Sequence, residues 1–186
     1  MKRLVFLLFI LAVGTVHSAY SADWRMDPSN SRLEFIATFE KTPVPGVFRE
    51  FDARIRFDQD RLDASRIDVT INVTSADMNS AEVNKAIRGP DWFDFARFGQ
   101  AEFHGAEVRA TGVNRYLARG TLSLKGIQQP VELPFVWTAS PEGATMEGEL
   151  TLKRGLFRIG TGEWAATNVI GADVQVKFRV RLRRTG

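Results

Sequence analysis

Strict alternation of apolar and polar residues recurs through this chain and confines it to half-wetted β-strands. The clearest run is the last: Val174, Val176, Phe178, Val180 and Leu182 share one parity, and Gln175, Lys177, Arg179, Arg181 and Arg183 share the other. Successive side chains on a strand point to opposite faces, so each set lines one side and leaves the other in water. The same rule picks out 33–39, 51–57, 67–73, 116–124, 131–135 and 146–152. Pro134, inside one of these runs, requires an edge or irregular position. Turn signals at 43–46, 111–114 and 141–143 separate the runs. Only 80–88 reads as a helix, with Ser80 as its cap, Glu82 in its first turn and Gly89-Pro90 to end it. Seven or eight amphipathic strands and one or two short helices predict an all-β fold, an eight-stranded antiparallel barrel whose closure removes exposed edges.

A barrel of that size is either filled by side chains or holds one small ligand. Ala37, Ala53, Ala118, Gly120 and Gly148 on inward parities either leave volume for a ligand or make room for neighbouring rings. Fourteen Phe against two Tyr point to a large dry interior.

Lys2 and Arg3, the apolar run 4–13 and the small residues ending at Ala22 describe a secretory signal peptide. The run is too short to cross a hydrocarbon core of ~30 Å. We expect cleavage after Ser21 or Ala22, leaving 23–186 as a single domain outside the cytoplasm. Loss of Lys2 and Arg3 takes the 25 basic residues to 23 against 22 acidic ones, so nucleic-acid binding has no general electrostatic support. With no cysteine and only His104 after cleavage, thiolate chemistry is excluded and a zinc site disfavoured. No metal or cofactor is expected.

His104, read as lying at a strand end, would need a nucleophile and an orienting carboxylate to act as a base. The chain has no Gly-x-Ser-x-Gly element, so a surface histidine is the expectation. Asp91, Asp94, Glu102 and Glu107 allow paired-carboxylate chemistry, although charges at strand ends are usually solvated. Arg88, Lys125, Arg154 and Arg158 suit a phosphate head group; a solvated surface is the alternative. Trp92, Phe93, Phe95 and Phe98 form either a lid or part of the core. The basic run 179–184 either touches anionic head groups or keeps an outer strand soluble.

Several stretches, in order, resemble the YceI-like family of secreted lipid-binding proteins. They are Trp24 to Phe35, Gly46-Val-Phe48, Ser75-Ala-Asp77, Asp91-Trp-Phe-Asp94 and Ala101-Glu-Phe103. Gly120-Thr-Leu-Ser-Leu-Lys-Gly126 with Pro130-Val-Glu-Leu133, Arg154 to Gly160 and Ile170 to Val174 complete the series. The resemblance spans 24–182 and implies an extended, lipocalin-like barrel, periplasmic and frequently dimeric. It also implies a cavity that holds a polyisoprenoid chain such as that of a quinone or prenyl phosphate. Because the sequence lacks an organised catalytic motif, a lipid carrier without turnover, in transient contact with a membrane surface or membrane protein, is the expectation; the alternatives are an enzyme acting on a lipid held in the cavity and a secreted interaction module with a solid barrel. Cavity-lining or mouth residues would then be Phe35, Phe51, Trp92, Phe93, Phe157, Phe178, Arg88, Arg154 and Arg158. Several positions depart from the family pattern. Asn30 stands where many relatives carry His, Met78 where Thr is frequent, Val83-Asn84 where Arg-Asp is frequent, and Arg158 where Gly is usual. The barrel motifs carry over; the identity of a head group does not.

Overall fold

The computed structural model describes residues 23–185, so the expected leader lies outside the described residues. Its strands are β1 (Asp23–Met26), β2 (Arg32–Phe39), β3 (Thr42–Phe48), β4 (Phe51–Arg56), β5 (Arg66–Asn72), β6 (Ala76–Asp77), β7 (Gln100–Gly112), β8 (Arg115–Leu124), β9 (Ile127–Ser140), β10 (Gly143–Lys153) and β11 (Asp173–Thr185). One α-helix, α1 (Ala81–Ala86), stands between β6 and β7. The sheet order β1-β4-β5-β7-β8-β9-β10-β11 returns to β1 and closes an eight-stranded antiparallel barrel. β11 is long enough to serve two partners. Its end, Leu182 to Thr185, pairs with β1, and Gln175 to Arg179 pairs with β2. β1 and β2 thus act as one strand broken by the turn at Pro28–Asn30, and β3 and β6 extend the sheet beyond β2.

Asp27 holds that break together. It accepts from the Ser29 N–H at 3.2 Å, the Asn30 amide at 3.1 Å and the Arg183 guanidinium at 2.6 Å. The Asn30 hydrogen bond, followed by that from Arg183, lowers the carboxyl pKa.

Parity on β11 follows the sequence pattern. Leu182 is fully buried, and Val176, Phe178 and Val180 face the interior. Arg179 and Arg181 face outward, where Glu147 and Glu142 on or beside β10 approach them. The edge that Pro134 requires is also present. The Trp137 N–H donates to Asn114 O at 2.9 Å, so odd positions of β9 turn their N–H toward β8. Even positions, including Pro130 and Pro134, therefore turn toward β10. Pairing with β10 stops at Glu147–Val136, and the prolines break no ladder bond.

Three features depart from the sequence reading. The break expected at 43–46 is strand β3; Pro43 and Pro45 fit there because β6 covers only Val47 and Phe48 of its outer edge. The turn is instead Glu40-Lys41, with φ of 45° and 68°. Two-residue hairpins need such positive values, but Asn-Gly is the usual signal for them. β7 was not among the expected alternating runs. Its pairing with β8 shifts between Gly105 and Glu107, so inward positions move from Ala101, Phe103 and Gly105 to Val108. A bulge of this kind changes which parity faces inward. His104 consequently lies within a strand rather than at its end.

The β1 end of the barrel is filled with rings. Phe57 packs against Trp137, Tyr116 and Phe135 at centroid distances of 4.5, 4.9 and 5.7 Å. Trp24 meets Trp137 edge-on at 5.3 Å and donates its indole N–H to Phe57 O at 3.1 Å. Trp137, 2% exposed, sits at the centre. Trp137→Ala should destabilise the fold by roughly 3–5 kcal/mol, as ring removal from closed cores does. On the outer face, Arg179→Ser should stay within about 0.5 kcal/mol. Urea denaturation of both variants measures the contrast.

Candidate apolar binding chambers

Midway along the barrel the inward residues become smaller and aliphatic. Val69, Ile71, Leu124, Val131, Leu133, Leu150, Leu152 and Val176 keep the inward parity yet are only half-buried. They surround a chamber of about 130 Å³, whose lining also includes Phe51 and Phe178 and contains no polar side chain. A second chamber of about 110 Å³ lies toward the loops; Phe35, Trp92, Phe93, Phe157 and Ile170 line it. Phe48, Leu124, Leu152 and Val176 border both chambers, so the two adjoin.

The small inward residues divide: two face a chamber, Gly148 makes room for the Phe178 ring, and Gly120 lets backbones approach, a use the sequence reading did not name. Ala37 and Ala53 face a chamber. A Cβ on Gly148 would lie 2.2 Å from Pro134 O and 2.8 Å from the Phe178 ring, and one on Gly120 would lie 2.3 Å from His104 O. Those two glycines permit close backbone approach.

All six aromatic residues named from the sequence line a chamber, but the arginines do not share one role. Arg154 borders the second chamber and is 5% exposed. Its five N–H groups donate to the carbonyl oxygens of Ile159, Gly160, Trp164, Ile170 and Gly171 at 2.7–2.9 Å. No donor is left for a phosphate, so Arg154 is a brace for the 154–171 loop and not a free anion fork. Burial lowers its pKa, although arginine remains protonated. Arg88 and Arg158 are exposed and line neither chamber. Lys125 uses two of its three donors on Pro90 O and Arg158 O, at 2.7 Å each, tying two loops together. Burial is the main cause of its lowered pKa. Of the other rings proposed as a lid, Phe95 packs partly buried against the core, whereas Phe98 lies under Gly126 with Arg97 above it.

The sequence reading missed two further fasteners of this cap. The Asp91 backbone carbonyl accepts from the N–H groups of Gly160 and Thr161, and its side chain accepts from the Thr161 hydroxyl at 2.7 Å. Asp77 anchors α1: Oδ1 accepts from the Asn84 amide and the Asn79 N–H, and Oδ2 from Arg49. Asn84 Oδ1 in turn accepts from the Met78 N–H at 2.7 Å. Asn84 had stood out only as a departure from the family pattern. Its hydrogen bond, then those from Arg49 and Asn79, lowers the Asp77 pKa to about 2.

His104 projects from the outer face between Asp68, at 2.9 Å from Nδ1, and Glu102, at 3.5 Å from Nε2. The Asp68 hydrogen bond is the largest cause of its raised pKa. The nearest partner on its Nε2 side is thus a carboxylate, not a hydroxyl nucleophile.

The sequence matches the YceI-like domain over residues 24–182. The chain belongs to the YceI-like family. Protein YceI of Escherichia coli O157:H7 is 30% identical, across 95% of this chain and 96% of its own. Burkholderia cenocepacia BcnA is 31% identical, covers 84% of this chain and 98% of its own, and superposes with a TM-score of 0.82. A polyisoprenoid binding domain from Saccharophagus degradans, implicated in plant cell wall breakdown, shares the fold at a TM-score of 0.70. It is 15% identical, over 87% of this chain and 98% of that domain.

Three outcomes test this description of a YceI-like barrel. Arg154→Leu strands several buried carbonyl groups and should cost on the order of 3 kcal/mol, measured by urea denaturation. Phe178→Ala should cost the protein without ligand less than the ~3–5 kcal/mol typical of a closed core, because its ring borders a chamber; the same measurement reads it. Asp77 has a folded pKa of about 2 against 3.8 ordinarily. The stability it contributes is present above 3.8 and lost as pH falls through about 2. Asp77→Asn should therefore flatten the acid limb of the stability curve over that window, measured by thermal melting against pH.

Proposed function

We propose that this chain is an exported carrier or buffer for a polyisoprenoid or similar long-chain lipid, held in the two chambers without chemical turnover. One observation carries this reading. The two chambers adjoin through four shared apolar residues, and their one charged lining residue among the described residues, Arg154, has every N–H engaged by backbone carbonyls. Sequestering a hydrocarbon chain there gains ~25 cal/mol for each Å² removed from water. A charged head group inside would lack compensating donors. The head therefore stays outside the chambers, and exposed Arg88 and Arg158 are the candidates to orient it. Membership of the YceI-like family and the polyisoprenoid binding described for the Saccharophagus domain support the ligand class. Cleavage of 1–22 and a periplasmic location complete the proposal; they rest on the tripartite leader.

Mass spectrometry of an organic extract of the protein, purified from its native periplasm, tests the reading. A stoichiometric isoprenoid lipid is the expected result. Protein that neither retains such a lipid nor binds one when supplied would refute it. Because apolar contact dominates, raising salt to moderate concentrations should leave lipid affinity nearly unchanged; fluorescence titration at low and moderate salt checks this.

A further inference from the structure

Between β9 and β10 the barrel wall has a stretch without cross-strand bonding, beside the larger chamber. Pairing of β9 with β10 runs from Ser140–Gly143 to Val136–Glu147 and stops. Beyond it, the β9 positions whose N–H would face β10 are Pro134, Glu132 and Pro130. Two of these three have no N–H to donate. Val131 and Leu133 on one side of the seam, and Leu150 and Leu152 on the other, line the larger chamber. Near the seam's start Gly148 lies close against Pro134 O; at its far end Leu156 is 52% exposed, and the one side-chain hydrogen bond across it among the described residues runs from Gln129 Nε2 to Leu156 O at 3.5 Å.

The two ends of the barrel are held more firmly. The β1 end carries the interlocked rings of Trp24, Phe57 and Trp137. The loop end is sewn by Arg154, Lys125 and Asp91 through many short hydrogen bonds. Segments with few backbone bonds open at lower free energy than densely bonded ones. We infer that a linear hydrocarbon chain enters and leaves the larger chamber sideways, by parting β9 from β10 along this seam. The inference rests on the lipid-carrier reading above. The chain would slide between Val131, Leu133, Leu150 and Leu152, with the exposed Leu156 offering first contact.

The cysteine-free chain makes the test clean. Continuing the observed register places Glu132 opposite Thr151 across the seam, both on outward parity. Glu132→Cys with Thr151→Cys, joined by a short reducible bis-methanethiosulfonate, would staple it. The control joins Thr151→Cys to Gln175→Cys, which face each other across the bonded β10–β11 ladder. Uptake of anthraniloyl-labelled geranylgeraniol and its release to phosphatidylcholine vesicles are followed by stopped-flow fluorescence. The stapled seam should slow both by about tenfold or more at unchanged equilibrium affinity, with recovery on reduction. The control staple should leave both rates alone. Exchange through the stapled seam at the unstapled rate would overturn the inference and direct attention to the loop end. Failure of the unmodified protein to bind the probe would overturn the carrier reading and this inference together.

Discussion

Every inward side chain of a closed eight-stranded ring competes for one shared space, and the division of that space governs this structure. At the β1 end, Phe57, Tyr116, Phe135, Trp137 and Trp24 consume it. In the middle, Val, Leu and Ile on the same parity are too short to meet across the axis, and a chamber remains. Gly148 and Gly120 let strands approach where a Cβ would collide with backbone, so neither adds to the hollow. The cavity is thus a matter of which inward positions carry rings, not of how many small residues the chain contains.

The polar side chains near the chambers serve the backbone. Arg154 saturates the carbonyls of one loop, Lys125 joins two loops, and Asp77 with Asn84 fixes α1 against β6. A buried guanidinium with no carboxylate beside it is stable here because five carbonyl dipoles face it. The chambers keep their apolar character because these groups are bound to backbone instead.

Strand parity made much of the barrel legible from sequence. Phe178 and the other β11 residues alternate cleanly because that strand has no bulge, and Ser80 marked the helix start through its cap. β7 was hidden because its bulge exchanges the inward parity at residues 105–107. β3 was hidden because prolines on an edge strand look like a break, and Glu40-Lys41 does not resemble a hairpin turn. Among the site residues, inward aromatics could be named from alternation and family motifs. The fate of Arg154 could not: a brace for carbonyls and a fork for phosphate use the same residue, and only the fold around it separates them.

Ring closure joins the first described strand to the last: the Thr185 hydroxyl donates to Asp23 O across 162 residues of sequence. Contacts this distant in the chain are formed late, since the entropy of closing so long a loop must be met before they contribute. A chain emerging amino terminus first can assemble hairpins such as β7–β8, but its interior stays open to water until β11 arrives. Loss of Leu182 to Thr185 would remove the β11 side of β1's pairing and leave an open ring there in place of a container.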